Sequence, residues 1–208
     1  MSTTSPDGGG ASRALIRVQD GQAATRDIHN FRILMTPADT ALLHTPTNRL
    51  SNATLPATVI YNESEIFYDV GVSLRGSNAG RSDNNHVSFY ISFDPTQLFR
   101  GVHSSAVLDR SGRGATAPFS QDELLIKHLA NVSGDIPSMY DDLVHVIAPN
   151  PIHSRTALLM MERYSNDYLD SQFANGSEGN LFKLELFYVP LNTTDGNPES
   201  PKLPSPYF

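Results

Sequence analysis

One loop of the sequence combines residue types that bind anions. Arg75 and Arg81 bracket the small-residue run GSNAG, which includes Ser77, and the loop follows a segment of alternating apolar residues. Guanidinium groups bind phosphate and carboxylate in a planar, bidentate manner, and a loop of small residues can add main-chain N–H donors. The sequence therefore indicates an anion site formed by Arg75, Ser77 and Arg81. The alternative is an ordinary hairpin loop with two exposed arginines.

Two carboxylates stand beside apolar segments and are further binding candidates. Glu123 closes the tetrapeptide SQDE ahead of an apolar helical stripe, where capping-box chemistry is by itself a sufficient explanation. Glu162 ends the apolar run LLMM, and a carboxylate in that position can line a pocket. The alternative for Glu162 is an exposed strand end paired with Arg163.

Several catalytic classes lack their sequence motifs. The chain contains no GxGxxG, GxxxxGK[ST], HExxH or GxSxG pattern and no cysteine, and its seven histidines show no metal-ligand spacing. Asp141 and Asp142 are adjacent, so on a strand they point to opposite faces and cannot form a carboxylate dyad. We therefore assign no catalytic residue and no metal ligand from these motifs.

Charge and hydropathy exclude two further classes of protein. The 208 residues carry a formal net charge of −7, which argues against a general nucleic-acid binder. The longest wholly apolar run is about five residues, too short for a transmembrane helix. The first ten residues lack the basic and apolar regions of a signal peptide.

The patterning predicts a central folded region between two irregular ends. Residues 1–25 are rich in Ser, Thr, Gly and Pro and are expected to form a flexible leader. Residues 190–208 are rich in proline and are expected to form a linker. The folded region is then expected to span residues 26–189.

Within this region the periodicities predict an α+β fold, an antiparallel sheet with one main packed helix. A helix from about Gln121 to Val132 is expected to pack on the sheet through Leu125 and Leu129. Alternation of apolar and polar residues predicts the main strands, which are Ile66–Arg75, His86–Phe93, Leu143–Ala148, Thr156–Glu162 and Leu181–Val189.

These segments together resemble one known family. The run VGVSLRGSNAGR at 70–81, followed by VSFYISF at 87–93, is similar to the "RLRG-S" signature of the spore-coat CotH kinase-like family. The resemblance covers about residues 59–188 and continues in later segments, namely 98–103, 108–114, 121–131, 159–168 and NLFKL at 180–184.

The resemblance implies the small lobe of an atypical protein kinase. It implies ATP and magnesium as cofactors, a Ser-rich partner protein as substrate, and an extracellular or cell-surface location. It places Arg75, Ser77 and Arg81 near the nucleotide phosphates and gives Glu162 the role of orienting a basic partner or metal. Glu123 is included among the nucleotide-binding candidates.

Two departures limit what the resemblance implies. The family's catalytic aspartate follows the NLYK-like strand, and here only the proline-rich segment follows it. We therefore expect an N-terminal fragment without kinase activity of its own. No lysine precedes Ser88, so the phosphate-binding cation must be Arg75, Arg81 or Lys183, or there is no ATP site. The alternative function is a non-catalytic binding or surface-structural module, a pseudokinase on the same scaffold.

Overall fold

Seven strands form the body of the molecule. The computed structural model describes residues 20–24, 27–49, 51–76, 78–81, 86–110, 120–134 and 136–182. The strands are β1 His29–Leu34, β2 Leu55–Tyr61, β3 Glu65–Arg75, β4 Ser88–Ser92, β5 Ser105–Asp109, β6 Asp141–Ile147 and β7 Arg155–Met161. They follow the order β1-β2-β3-β4-β5-β7-β6, and β6 returns to β1 to close a barrel. That closing pair is parallel, whereas every other pair is antiparallel.

Alternate side chains of the strands fill the barrel. Phe89 and Ile91 of β4 are fully buried inside, as their alternation predicts, while Tyr90 between them points outward. The strands contribute a continuous apolar core, made of Phe31, Ile33, Val59, Tyr61, Phe67, Val70, Val72, Leu74, Phe89, Ile91, Ala106, Leu108, Val144, Val146, Leu158 and Met160. The interior of this barrel is therefore a packed core.

A β-bulge changes the face of one strand partway along it. Opposite β3, the pairing register shifts between Ala57 and Val59, and Asp69 has a left-handed φ of 53°. A bulge inserts an extra residue and reverses the alternation beyond it. Phe67 is consequently inside together with Val70, whereas simple alternation along β3 would put Ile66 and Tyr68 on the face of Val70.

The turn between β2 and β3 depends on a buried ion pair. Asn62 and Glu63 both have positive φ, 50° and 55°, as a type I′ hairpin turn requires. The Glu63 carboxylate is buried and accepts from Nε of Arg32 at 3.2 and 3.1 Å. Two further nitrogens of Arg32 donate to Asp20 at 2.8 and 2.9 Å. Asp20 and Glu63 therefore satisfy this buried guanidinium.

In the described residues, four helices and two short 3₁₀ turns lie outside the strands. The helices are α1 Pro37–His44, α2 Asn78–Arg81, α3 Ser120–Ser133 and α4 Asn166–Gln172, and the turns are Pro151–His153 and Gly176–Glu178. Thr36 caps α1, accepting from the Asp39 N–H at 3.1 Å. None of the helices in the described residues has the length and apolarity needed to cross a membrane.

The predicted α+β sheet with one packed helix, like a kinase small lobe, is wrong. The pairing of β3 with β4 is present as expected, but β1 and β6 join the two sheet edges and close the barrel. Leu125 and Leu129 do not pack on the sheet, since they are 54% and 53% exposed. A closed sheet covers its own apolar face, so it does not need a helix for that purpose.

The last predicted strand lies largely outside the described residues. Leu181 and Phe182 are described and belong to no strand, and residues 183–189 fall outside the described part. The predicted leader lies outside it except for residues 20–24, and so does the whole of the predicted linker at 190–208.

Candidate anion-binding site

The outer wall of the barrel brings three distant parts of the chain together. Arg75 ends β3 and pairs with Ser88 of β4, while Ser73 pairs with Tyr90. Asp109 ends the neighbouring strand β5, and Arg163 follows the end of β7, which pairs with β5. Because alternate residues of a strand point to one face, these outward side chains share the outer wall.

Tyr90 holds Arg163 on this wall. The Arg163 Nη1 donates to the Tyr90 hydroxyl at 3.0 Å, and the Arg163 guanidinium carbon lies 5.2 Å from the Tyr90 ring centroid. A cation above an aromatic face is attracted to the negative charge of the ring's π system. Arg163 is thus positioned by an uncharged partner, and its positive charge is not neutralised by that contact.

Arg75 is half-buried next to this second guanidinium. Among the described residues, no acceptor lies within hydrogen-bonding distance of its guanidinium group. Burial, and next the positive charge of Arg163, lower the pKa of Arg75 from its usual value, while Asp109 and Tyr90 oppose this shift. Two neighbouring guanidiniums, one of them without an acceptor, form an environment in which a bound anion is favourable.

A network of three charges borders the wall under α3. Lys127 Nζ lies 2.7 Å from Glu123 Oε1 and 2.8 Å from Asp141 Oδ2. Burial disfavours the charged ammonium, but these two carboxylates outweigh it and raise the pKa of Lys127. Burial raises the pKa of Asp141 despite Lys127, although neither Asp141 oxygen has a well-aligned hydrogen-bond donor. Glu123 therefore pairs with Lys127 in this structure.

Arg81, the second arginine of the predicted anion site, donates to acceptors of the protein itself. Its Nε donates to the Gly76 carbonyl at 2.9 Å, and its Nη1 donates to the Ser51 carbonyl at 2.9 Å. Its Nη2 donates to Asn52 Oδ1 at 2.8 Å. These bonds connect α2 to the segment before β2, so binding a phosphate here would require Arg81 to give them up. Ser77 and Lys183 lie outside the described residues.

Glu162 lies in a separate cleft at one end of the barrel. Its N–H donates to the Tyr140 carbonyl at 3.0 Å, and the Tyr140 N–H approaches Glu162 Oε2 at 3.4 Å. The alternative pairing of Glu162 with Arg163 is absent among the described contacts, since Arg163 bonds to Tyr90. Asp141 and Asp142 take separate partners, as expected from their adjacency, since Asp142 contacts Arg100 at 3.4 Å.

The sequence had indicated only part of this site. Arg75 was identified, and the alternation of β4 had already placed Tyr90 on the face opposite Phe89. Arg163 was missed as a partner of Arg75, because the two residues meet only through the order β3-β4-β5-β7. No local pattern reports that order, and the alternative that paired Arg163 with the adjacent Glu162 used sequence proximity alone.

Neither the models of known protein families nor the curated proteins include a match to this chain. In the part of the chain that the structure describes, no three His, Asp or Glu residues are grouped so that they could hold a metal ion. We therefore assign no magnesium ligand.

Proposed function

We propose that the chain binds a phosphate-bearing ligand, ATP being the expected one, through Arg75 and Arg163 on the outer wall of the barrel. The observation that carries this proposal is the half-buried Arg75 guanidinium, which lies beside a second guanidinium and lacks an acceptor among the described residues. Phosphate oxygens would supply those acceptors, and their negative charge would offset the repulsion between the two cations.

The two arginines would contribute to binding in different ways. Arg163 is already oriented by the Tyr90 hydroxyl and ring, so little side-chain freedom is lost when a ligand arrives. Arg75 is partly shielded from water, which strengthens a charge-assisted hydrogen bond to about 1.5–3 kcal/mol. Asp109 on the neighbouring strand would repel the anion, so the two guanidiniums together must outweigh it.

Binding is the part of the expected activity that this geometry supports. Phosphoryl transfer to a Ser-rich partner is what the resemblance to CotH-like kinases implies, and it requires a metal and a carboxylate that orients the nucleophile. Glu123 and Asp141 are both paired with Lys127, and Glu162 lies in the cleft at the barrel end. A non-catalytic binding module would use the same two arginines, so transfer is not needed for the proposal.

Calorimetric titration of the 208-residue chain with ATP, with and without magnesium, tests the proposal. Arg75→Ala and Arg163→Ala should each weaken binding about tenfold or more, since 1.4 kcal/mol corresponds to one decade. Arg49→Ala is the matched control, because Arg49 is also a half-buried arginine and its charge acts on His44 rather than on Arg75. Its affinity should equal that of the parent chain.

A second titration with tripolyphosphate separates recognition of phosphate from recognition of the base. The same two variants should lose affinity for tripolyphosphate as well. Unchanged affinity for both ligands in both arginine variants would refute the proposal, and so would the absence of any binding to the parent chain.

A further inference from the structure

A second binding site opens at one end of the barrel. A cleft of about 410 Å³ lies where β7 ends at Met161, between the first residues of β5 and β6. This volume is within the range of small-molecule pockets, and barrel ends are frequent locations for them. Its lining is mixed, with Phe99, Met160 and Met161 supplying apolar surface and Glu162 a carboxylate.

Most charges that line the cleft already have partners of opposite sign. Arg100 Nη2 lies 3.4 Å from Asp142 Oδ2 and donates to the Tyr61 hydroxyl at 2.9 Å. Asp141 lies 2.8 Å from the Lys127 ammonium. No arginine or lysine contacts Glu162 among the described residues, and the Tyr140 N–H reaches its carboxylate only at the long distance of 3.4 Å.

The shape and lining of the cleft indicate which kind of cation would neutralise the Glu162 carboxylate. A metal ion is not favoured, because the described part of the chain has no group of three suitable ligands. An organic cation could place its charge at the carboxylate and its chain along Phe99 and the two methionines. We propose that the cleft binds a primary ammonium carried on an alkyl chain, the chemistry of a lysine side chain, with Glu162 as its counter-ion.

The electrostatic surroundings of Glu162 support this site independently of its shape. Burial raises the pKa of Glu162, and the nearby Asp167 carboxylate adds to the shift. The Tyr140 N–H, His103 and Ser171 act in the opposite direction without cancelling it. A carboxylate that burial makes costly to ionise gains stabilisation when a cation arrives beside it.

Titration of the 208-residue chain with Nα-acetyl-lysine-N-methylamide, followed by NMR, tests the proposal. The neutral control is the norleucine counterpart, which has the same alkyl chain without the ammonium. The lysine probe should shift resonances of the cleft residues and bind at least tenfold tighter than the norleucine probe. Butylammonium should bind comparably, because it carries the same group without a peptide backbone; a probe that binds only with its backbone would indicate a peptide site.

Glu162→Gln keeps the size of the side chain and removes its charge, so it should weaken lysine-probe binding at least tenfold. Glu65→Gln, at an exposed glutamate that starts β3, is the matched control and should leave affinity unchanged. Thermal melts of both variants check that the barrel is intact. Equal binding of the two probes, unchanged affinity in Glu162→Gln with a parent-like melt, or no binding of the lysine probe to the parent would overturn the proposal.

Discussion

The barrel interior and the outer surface of α3 both contain regularly spaced apolar side chains. These side chains are buried in the barrel and exposed on α3. Inward side chains such as Phe89 and Leu108 are fully buried, whereas Leu125, Leu129 and Val132 of α3 are more than half exposed. Neighbouring strands cover the interior residues, because the sheet closes on itself. The comparison teaches that an apolar stripe identifies a shared face but does not identify what covers that face.

An ion pair explains which side of α3 faces the barrel. Lys127 points toward the wall and reaches Asp141, whose side chain is only 1% exposed. Turning the helix to bury Leu125 and Leu129 would leave the Asp141 carboxylate without its cation, and an unpaired buried charge is costly.

The largest expected effect is the loss of stability when a side chain is removed from the barrel interior. Phe89→Ala removes a ring that is 0% exposed and should lower the free energy of unfolding by about 3–5 kcal/mol. Urea denaturation followed by circular dichroism measures it. Phe173→Ala is the matched control, because that ring is 44% exposed, and it should lose far less. Equal losses would mean that the barrel interior is not the main core.

An intermediate effect is expected outside both regions, at the stacked rings of His44 on α1 and His153 in a 3₁₀ turn, whose centroids lie 4.6 Å apart. Burial, then His153 and Arg49, lower the pKa of His44 from 6.5 to about 4. The unfolded chain therefore binds a proton at higher pH than the folded chain. Stability is full above pH 6.5 and is lost as the pH falls from 6.5 toward about 4.

Because His44 is partly exposed, screening reduces this contribution to about 1–2 kcal/mol. Urea denaturation at a series of pH values measures the loss. His44→Phe keeps an aromatic ring against His153 but cannot be protonated, so its stability should vary less over this range. A variant with the same pH profile as the parent would assign the titration to another group.

The smallest effect is expected on α3. Leu129→Gln replaces one good helix former with another at a position that is 53% exposed, so stability should change by less than about 0.5 kcal/mol. Chemical denaturation measures the free energy of unfolding of this variant and of Leu108→Gln, a substitution at a buried position. Leu108→Gln should be severely destabilised. A loss of about 2 kcal/mol or more in Leu129→Gln would show that the outer face of α3 is covered in solution.

Local elements could be predicted from the sequence wherever one short segment contains the whole signal. The alternation in β4 separates its inward from its outward residues, and the turn at Asn62 and Glu63 that joins β2 to β3 is contained in one short segment. The bulge at Asp69 could not be foreseen, because the extra residue of β3 is visible only against its partner strand. Barrel closure was missed for the same reason, since β1 and β6 are more than a hundred residues apart.

For the candidate site, the sequence by itself determined that Arg75 ends its strand on the outward face and that Tyr90 is on the outer face. The tertiary structure decided which cation joins them, since β7 lies next to β5 and brings Arg163 to Tyr90. It also directed Arg81 to carbonyl groups near β2 and turned the apolar stripe of α3 outward. The physical reason is that periodicity along a chain fixes which residues share a face, whereas the partner of that face depends on contacts between segments far apart in sequence.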